Sequence, residues 1–230
     1  METEILEFAC VRHYFEDSIN LGFNHFISVL EVSKFCEQDI KIEWKSLIEQ
    51  HINKKITAKK AIEKIDKWFL DLVADNKIED WNHLGVLLGS NTLADLFFKI
   101  YKQVDDKTYW MLLGYCYTNS YLGFDEKFLL KLLFTSKKPF REFLMNKEEK
   151  NLFDTFPEEL TIYRGCSLSE IESKDYRFSW TLSKDVANFF AFEYHRNKNT
   201  ECGVVELTVK KEKVLAYFNG RQEEEIIFLS

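Results

Sequence analysis

Hydrophobic residues follow different periods in two parts of the chain. Up to about residue 150 they recur every three or four positions, which predicts helices, and the sequence contains only two prolines, Pro139 and Pro157. After Pro157 the pattern changes to short runs rich in β-branched and aromatic residues, which predicts strands. We therefore expect an α+β protein in which an all-helical region, 1–150, packs on a sheet region, 151–230.

The helical pattern is clearest in two segments. Residues 56–75 place their apolar side chains along one stripe, and Thr57 is a candidate N-cap. A second helix is predicted over 91–106, followed at 107–121 by a segment dense in tyrosine and tryptophan. Aromatic residues at helical spacing are more typical of a core than of a surface that stacks nucleobases, so we assign them to the core.

Five short runs predict the strands of the second region. One helix, starting at a candidate N-cap Ser183, separates the second run from the third. In chain order the runs are LTIYRG, YRFSWTLS, GVVELTV, KVLAYF and EEEIIFL. The final run raises a question of its own, since three glutamates precede its apolar residues.

Composition narrows the class of protein. The 230 residues carry a formal charge of -7 without a basic block, so no nucleic-acid or anionic-membrane surface is indicated. The acidic N-terminus does not resemble a signal peptide, and no uncharged stretch reaches membrane-spanning length, so we expect a cytoplasmic protein. Five scattered cysteines without a CxxC pair favour reduced thiols.

Several common catalytic sites are not indicated by the sequence. The five histidines lack metal-ligand spacing, so we expect no metal site. The eight glycines form neither a P-loop nor a GxGxxG turn, and no GxSxG motif predicts a serine hydrolase.

Polar residues that could bind a ligand or take part in a reaction lie on two of the predicted strands. Arg164 ends the first run and is followed by Gly165, where a phosphate-bearing ligand could approach the backbone closely. On the second strand, alternation places the hydroxyls of Ser179 and Thr181 on one face and Trp180 on the other. Each feature alone is also compatible with an ordinary surface or core residue.

The glutamate run admits two interpretations. As a solvated strand end, it would protect an edge strand from aggregation. With a strand period of two, Glu223 and Glu225 project from one face and Glu224 from the other. We therefore predict two neighbouring carboxylates and one glutamate that only faces solvent.

The ordered set of YRG, SWT and Glu-x-Glu resembles the R-S-E clade of mono-ADP-ribosyltransferases, over about residues 155–230. The resemblance implies an ADP-ribosyltransferase-like β-sandwich with one helix between strands. It also implies an NAD-dependent enzyme, of the toxin or effector type, that transfers ADP-ribose through an oxocarbenium-like transition state. NAD would be its substrate, and NGRQ would be a short substrate-recognition loop.

The resemblance also implies roles for individual residues. Glu225 would stabilise the reacting ribose, Ser179 would brace Glu225, Arg164 would bind the diphosphate and Glu223 would face the acceptor. The catalytic set is thus Arg164, Ser179, Glu223 and Glu225. The NAD-binding set is Tyr163, Arg164, Gly165, Ser179, Trp180, Thr181 and Phe190.

The sequence leaves several alternatives for the acceptor of ADP-ribose. Glu223 favours an arginine on a protein, while nucleic acid or water as acceptor, and a non-catalytic interaction protein that retains the fold, are the alternatives. The helical region would recognise the target or cover the NAD, and an inhibitor protein is a possible partner. Trp180 stands where the family has a small threonine, and the interval from Arg164 to Ser179 is short for the family.

Overall fold

The computed structural model describes residues 11, 12, 14–16, 19, 42–74, 78, 81–88, 90–120, 127–194 and 201–229. The chain divides into two compact units between Asp105 and Asp106. Helices 106–154 therefore belong to the same unit as the sheet. The functional division that the sequence predicts at residue 150 stays a prediction.

The first unit is helical wherever regular structure is described. Its helices are α1 (Ile42–Ile52), α2 (Ala58–Ala74), α3 (Trp81–Leu88) and α4 (Ser90–Ile100). The predicted cap of α2 is confirmed, because the Thr57 hydroxyl accepts a hydrogen bond from the amide of Lys60 at 3.3 Å. Apolar side chains from α2 and α4, including Phe69 and Phe97, are buried as their spacing predicts.

Helices precede and interrupt the sheet of the second unit. They are α5 (Asp106–Asn119), α6 (Lys127–Phe134), a 3-10 helix (Arg141–Leu144), α7 (Lys147–Asp154), α8 (Leu168–Ser173) and α9 (Lys184–Asn188). A π-helix, Phe189–Tyr194, continues α9 directly. Ser183 caps α9 as predicted, since its hydroxyl accepts from the amide of Val186 at 3.3 Å.

Five strands form one antiparallel sheet in the order β3-β1-β2-β5-β4. Their bounds are β1 (Glu159–Ser167), β2 (Ser179–Thr181), β3 (Cys202–Lys210), β4 (Val214–Phe218) and β5 (Glu225–Phe228). All five predicted strands are present, with one helix region between β2 and β3. The predicted β-sandwich is wrong for the residues described, because their strands build a single open sheet and helices such as α9 pack against it.

Strand pairing decides which side chains share a face of the sheet. Thr181 pairs with Tyr163 on one side and with Glu225 on the other, and Ser179 pairs with Ile227. Directly paired residues project to the same face, so the hydroxyl side chains of β2 share a face with Glu225.

None of the helices in the part of the chain that the structure describes combines the length and the apolar character that a membrane span requires.

Candidate functional site

A buried carboxylate at the start of β5 is the centre of the candidate site. Glu225 is only 4% exposed. The Ser179 hydroxyl donates to Glu225 Oε1 at 2.5 Å, which is the length of a strong charge-assisted bond. Ser179 and Glu225, two residues that the sequence predicts to act together, are thus in direct contact.

A tyrosine from α5 provides a second hydrogen-bond donor to this carboxylate, on its buried side. The Tyr117 hydroxyl donates to the same Oε1 atom at 3.0 Å. Burial raises the pKa of Tyr117 well above its usual range, and the neighbouring Glu225 charge raises it further. Tyr117 therefore stays protonated and remains a donor at neutral pH.

The outer side of the carboxylate faces an arginine. Arg221 Nη2 lies 3.1 Å from Glu225 Oε2, and Arg221 Nε lies 3.1 Å from Glu223 Oε2. The Arg221 side chain is 53% exposed, whereas that of Glu225 is 5% exposed. One half-exposed guanidinium therefore bridges both glutamates at the surface of the site.

Glu223 differs from an ordinary surface glutamate. Its side chain is 29% exposed, and burial raises its pKa above the usual range of a carboxyl. Arg221 acts in the opposite direction, while the charge of Glu225 adds to the rise. The two carboxylates are close enough to influence each other, as the sequence predicts.

The backbone before β5 is a turn and not a strand, so the predicted alternation is wrong for Glu223. Strand β5 begins at Glu225, and both Gln222 and Glu224 have positive φ, 59° and 46°. Such values are uncommon for residues with a side chain and persist where surrounding contacts impose them. Glu223 reaches the side of Glu225 through this turn, and Glu224 is exposed as predicted.

Contacts from two other segments hold this turn in place. The Thr181 hydroxyl donates to the Glu223 carbonyl at 2.7 Å and accepts from the Ser183 amide at 3.0 Å. The Asn219 side chain accepts from the Glu224 amide at 3.2 Å. Thr181 therefore positions the glutamate turn and the start of α9 together.

Arg164 contacts the backbone of Ser179, but its side chain lies on the other face of the sheet from the Ser179 hydroxyl and Glu225. Strand alternation sends its side chain to the face opposite Tyr163, and therefore opposite Ser179 and Glu225. Its guanidinium donates to the Ser179 carbonyl at 2.5 Å and to Glu170 at 2.7 Å. The side chain is 12% exposed. Arg164 thus holds the backbone of Ser179, which is a structural contact that the sequence did not predict.

Gly165 is explained by helix packing. A Cβ at this position would lie 2.1 Å from the carbonyl oxygen of Ala187 and 2.6 Å from the amide nitrogen of Ala191. The close backbone approach at this glycine is therefore made by the helical segment after β2, and the assignment of Gly165 to NAD stays a prediction.

The remaining predicted ligand residues are spread around the sheet. Trp180 is 2% exposed and its ring packs edge-on against Phe228, on the face opposite Ser179. Tyr163 is half-buried under the ammonium of Lys184. Phe190 is half-buried in the π-helix, 5.6 Å from the ring of Phe189. The polar partners of Glu225 shown in the described residues are instead Ser179, Tyr117 and Arg221.

Titratable groups elsewhere in the described residues do not form a metal site. No group of three or more His, Cys, Asp and Glu side chains in that part of the chain is arranged to hold an ion. Cys116 and Cys166 are buried free thiols, and burial raises their pKa to about 12 and about 11. Both thiols are therefore protonated at neutral pH.

Two residues that contact Glu225, Tyr117 and Arg221, are not among the site residues that the sequence predicts. Tyr117 belongs to an aromatic helix whose residues all carry the same core signal, so nothing local distinguishes it. Arg221 precedes Glu225 by four residues, and a cation next to a glutamate run is a weak signal for an ion pair.

Comparison with known proteins returns no relative for this chain. It matches none of the family models, none of the curated proteins and none of the solved structures.

Proposed function

We propose that this protein is an NAD-dependent mono-ADP-ribosyltransferase, with arginine on a protein as the acceptor. The observation that carries the proposal is the contact between the Ser179 hydroxyl and the buried Glu225 carboxylate, 2.5 Å, at the ends of adjacent strands. This is the contact that the R-S-E resemblance implies for residues 179 and 225.

The charge pattern around Glu225 supports glycosyl transfer. Breaking the bond between ribose and nicotinamide develops positive charge on the ribose, and a fixed carboxylate stabilises that charge. Ser179 and Tyr117 donate to one oxygen of Glu225 and are neutral, so they hold the carboxylate without cancelling its charge. The second oxygen faces the half-exposed Arg221, on the side from which a substrate would approach.

The residues present fit NAD in part. Hydroxyl groups of a ribose can bond to Glu225 once Nη2 of Arg221, its most exposed partner, leaves that carboxylate, while Nε of Arg221 stays on Glu223. Arg164 is the residue that the resemblance assigns to the diphosphate, yet it already contacts Glu170 and the Ser179 carbonyl. In our proposal Arg164 therefore positions the backbone of Ser179 from the opposite face of the sheet, and no residue is assigned to the diphosphate.

The acceptor preference depends on Glu223. A carboxylate beside the reacting ribose can bind a guanidinium and accept its proton, and Glu223 already binds one from Arg221. The raised pKa of Glu223 makes it a stronger base than an ordinary glutamate. This observation favours arginine over nucleic acid or water as the acceptor.

The proposal is tested by incubating the full chain with NAD that is labelled in its ADP-ribose part. Parallel reactions contain a protein lysate, purified RNA or DNA, and no acceptor. We expect label on protein arginines, and its loss in the Glu225→Gln variant. The matched control Glu224→Gln changes the exposed neighbour and should keep full transfer. Equal labelling by Glu225→Gln would remove the mechanism, and label on nucleic acid alone would change the acceptor.

A further inference from the structure

Arg221 occupies the position that an acceptor guanidinium would take at the proposed site. Its Nε is 3.1 Å from Glu223, the residue assigned to the acceptor. Its terminal nitrogen Nη2 is 3.1 Å from Glu225, the residue assigned to the reacting ribose. A nucleophilic nitrogen is thus held beside the carboxylate over which the bond to nicotinamide would break.

An ordinary ion pair explains less of this arrangement. A half-exposed arginine paired with a glutamate four residues away stabilises a protein by at most about 1 kcal/mol. Here the turn places Glu223 and Glu225 on the same guanidinium, and both Gln222 and Glu224 have positive φ in that turn. Thr181 and Asn219 fix the backbone of that turn.

We propose that Arg221 is a self-modification site, at which the protein transfers ADP-ribose to its own guanidinium. This inference rests on the proposed function. The bond between the ribose C1′ of NAD and the nicotinamide nitrogen breaks, and its electron pair leaves with nicotinamide. A terminal guanidinium nitrogen of Arg221 bonds to C1′, and the guanidinium loses one proton to Glu223, which contacts its Nε, and from there to water.

Self-modification would change the site in a definite way. The guanidinium would carry a bulky dianionic group and could no longer bridge Glu223 and Glu225 in its present geometry. Since the contact with Glu223 keeps Arg221 beside the reacting ribose within one chain, the reaction is intramolecular, and its rate constant does not depend on protein concentration.

The experiment measures two products in one tube. The purified full chain is incubated with NAD at several protein concentrations, released nicotinamide is quantified, and the protein is mapped by mass spectrometry with fragmentation that retains ADP-ribose. We expect ADP-ribose on Arg221, with a modified fraction that follows the same time course at every concentration. The Arg221→Lys variant keeps the positive charge and should lose this label. The control Arg141→Lys changes an exposed arginine outside the site and should keep it.

The two proposals fail in different ways. Nicotinamide release without modification of Arg221 would overturn the self-modification and leave the proposed function standing. Label that persists in Arg221→Lys, or a modified fraction that rises with protein concentration, would also overturn it. No nicotinamide release and no label would overturn both.

Discussion

Asp66 in the first unit and Glu225 in the second are both buried carboxylates, yet their partners differ in kind. Asp66 is 6% exposed and contacts two cations, Arg12 at 3.1 Å and Lys99. Glu225 is 4% exposed, and its inner partners are the neutral hydroxyls of Ser179 and Tyr117.

The difference separates a carboxylate with a structural role from the one that our proposal makes reactive. Cations neutralise the charge of Asp66 in place, and Arg12 also contacts Glu16 within the same cluster. Hydroxyl groups instead solvate the charge of Glu225 and leave it uncompensated on the inner side. The only cation that contacts Glu225 in the described residues, Arg221, is half-exposed and can be displaced. We therefore expect the amide variants of the two carboxylates to fail in different measurements.

The largest expected effect on stability is at Asp66. The variant Asp66→Asn leaves the guanidinium of Arg12, 5% exposed, with the part-exposed Glu16 as its remaining carboxylate partner. We expect the free energy of unfolding to fall by about 3 to 5 kcal/mol, measured by urea denaturation. Asp71→Asn on the same helix is the control, because its exposed pair with Lys67 contributes at most about 1 kcal/mol. Equal losses in the two variants would contradict the structural role.

Tyr117 gives the next effect, and it should appear in both stability and activity. Tyr117→Phe removes one donor from a buried carboxylate, which costs about 1.5 to 3 kcal/mol of folding free energy. Because Glu225 is then less firmly placed, we expect nicotinamide release to fall by about tenfold to a hundredfold, mainly in kcat.

Tyr109 provides the matched control for that variant. It lies on the same helix, is 2% exposed, and donates to the carbonyl of Leu133 at 2.8 Å. Tyr109→Phe should destabilise the protein without changing kcat in the folded fraction. If both variants reduce kcat equally, Tyr117 acts only through stability.

The smallest expected effect is a pH dependence that comes from Glu223. Burial raises its pKa above the usual carboxyl range, so it is protonated at acidic pH and becomes a base as the pH rises through that value. Transfer to an added guanidinium compound, such as agmatine, should therefore rise through the same pH interval. Glu223→Gln should remove this rise. A rise that is unchanged in the variant would assign it to another group.

The same raised pKa has a consequence for folding. A carboxyl whose folded pKa is raised binds a proton more tightly in the folded state than in the unfolded state. Its contribution favours folding at low pH and is lost as the pH rises from the unfolded to the folded pKa. Stability and proposed acceptor transfer thus change in opposite directions across that interval.

Local patterns were sufficient for the elements, and the resemblance supplied one contact of the site. The period of α2 and α4 predicted their buried faces, and the resemblance carried by the ordered motifs implied the contact of Ser179 with Glu225. The strand period of two did not hold for residues 222–224, because Gln222 and Glu224 have positive φ and form a turn before β5.

Long-range partners were beyond the reach of those patterns. Asp66 lies on the buried stripe of α2, and only the approach of Arg12 and Lys99 makes this position tolerable for a charge. Tyr117 is 108 residues from Glu225 in the chain, and its hydroxyl gains a role only when α5 and β5 meet in the second unit.

The most direct test of the account is the rate of nicotinamide release from NAD by the wild-type protein and by Glu225→Gln, with folding of both checked by urea denaturation. We predict measurable release by the wild type, and a fall of about a hundredfold or more in Glu225→Gln when the rate is referred to the folded fraction of each protein. Equal release by the two proteins, or no release by the folded wild type, would contradict the assignment of Glu225 as the reactive carboxylate.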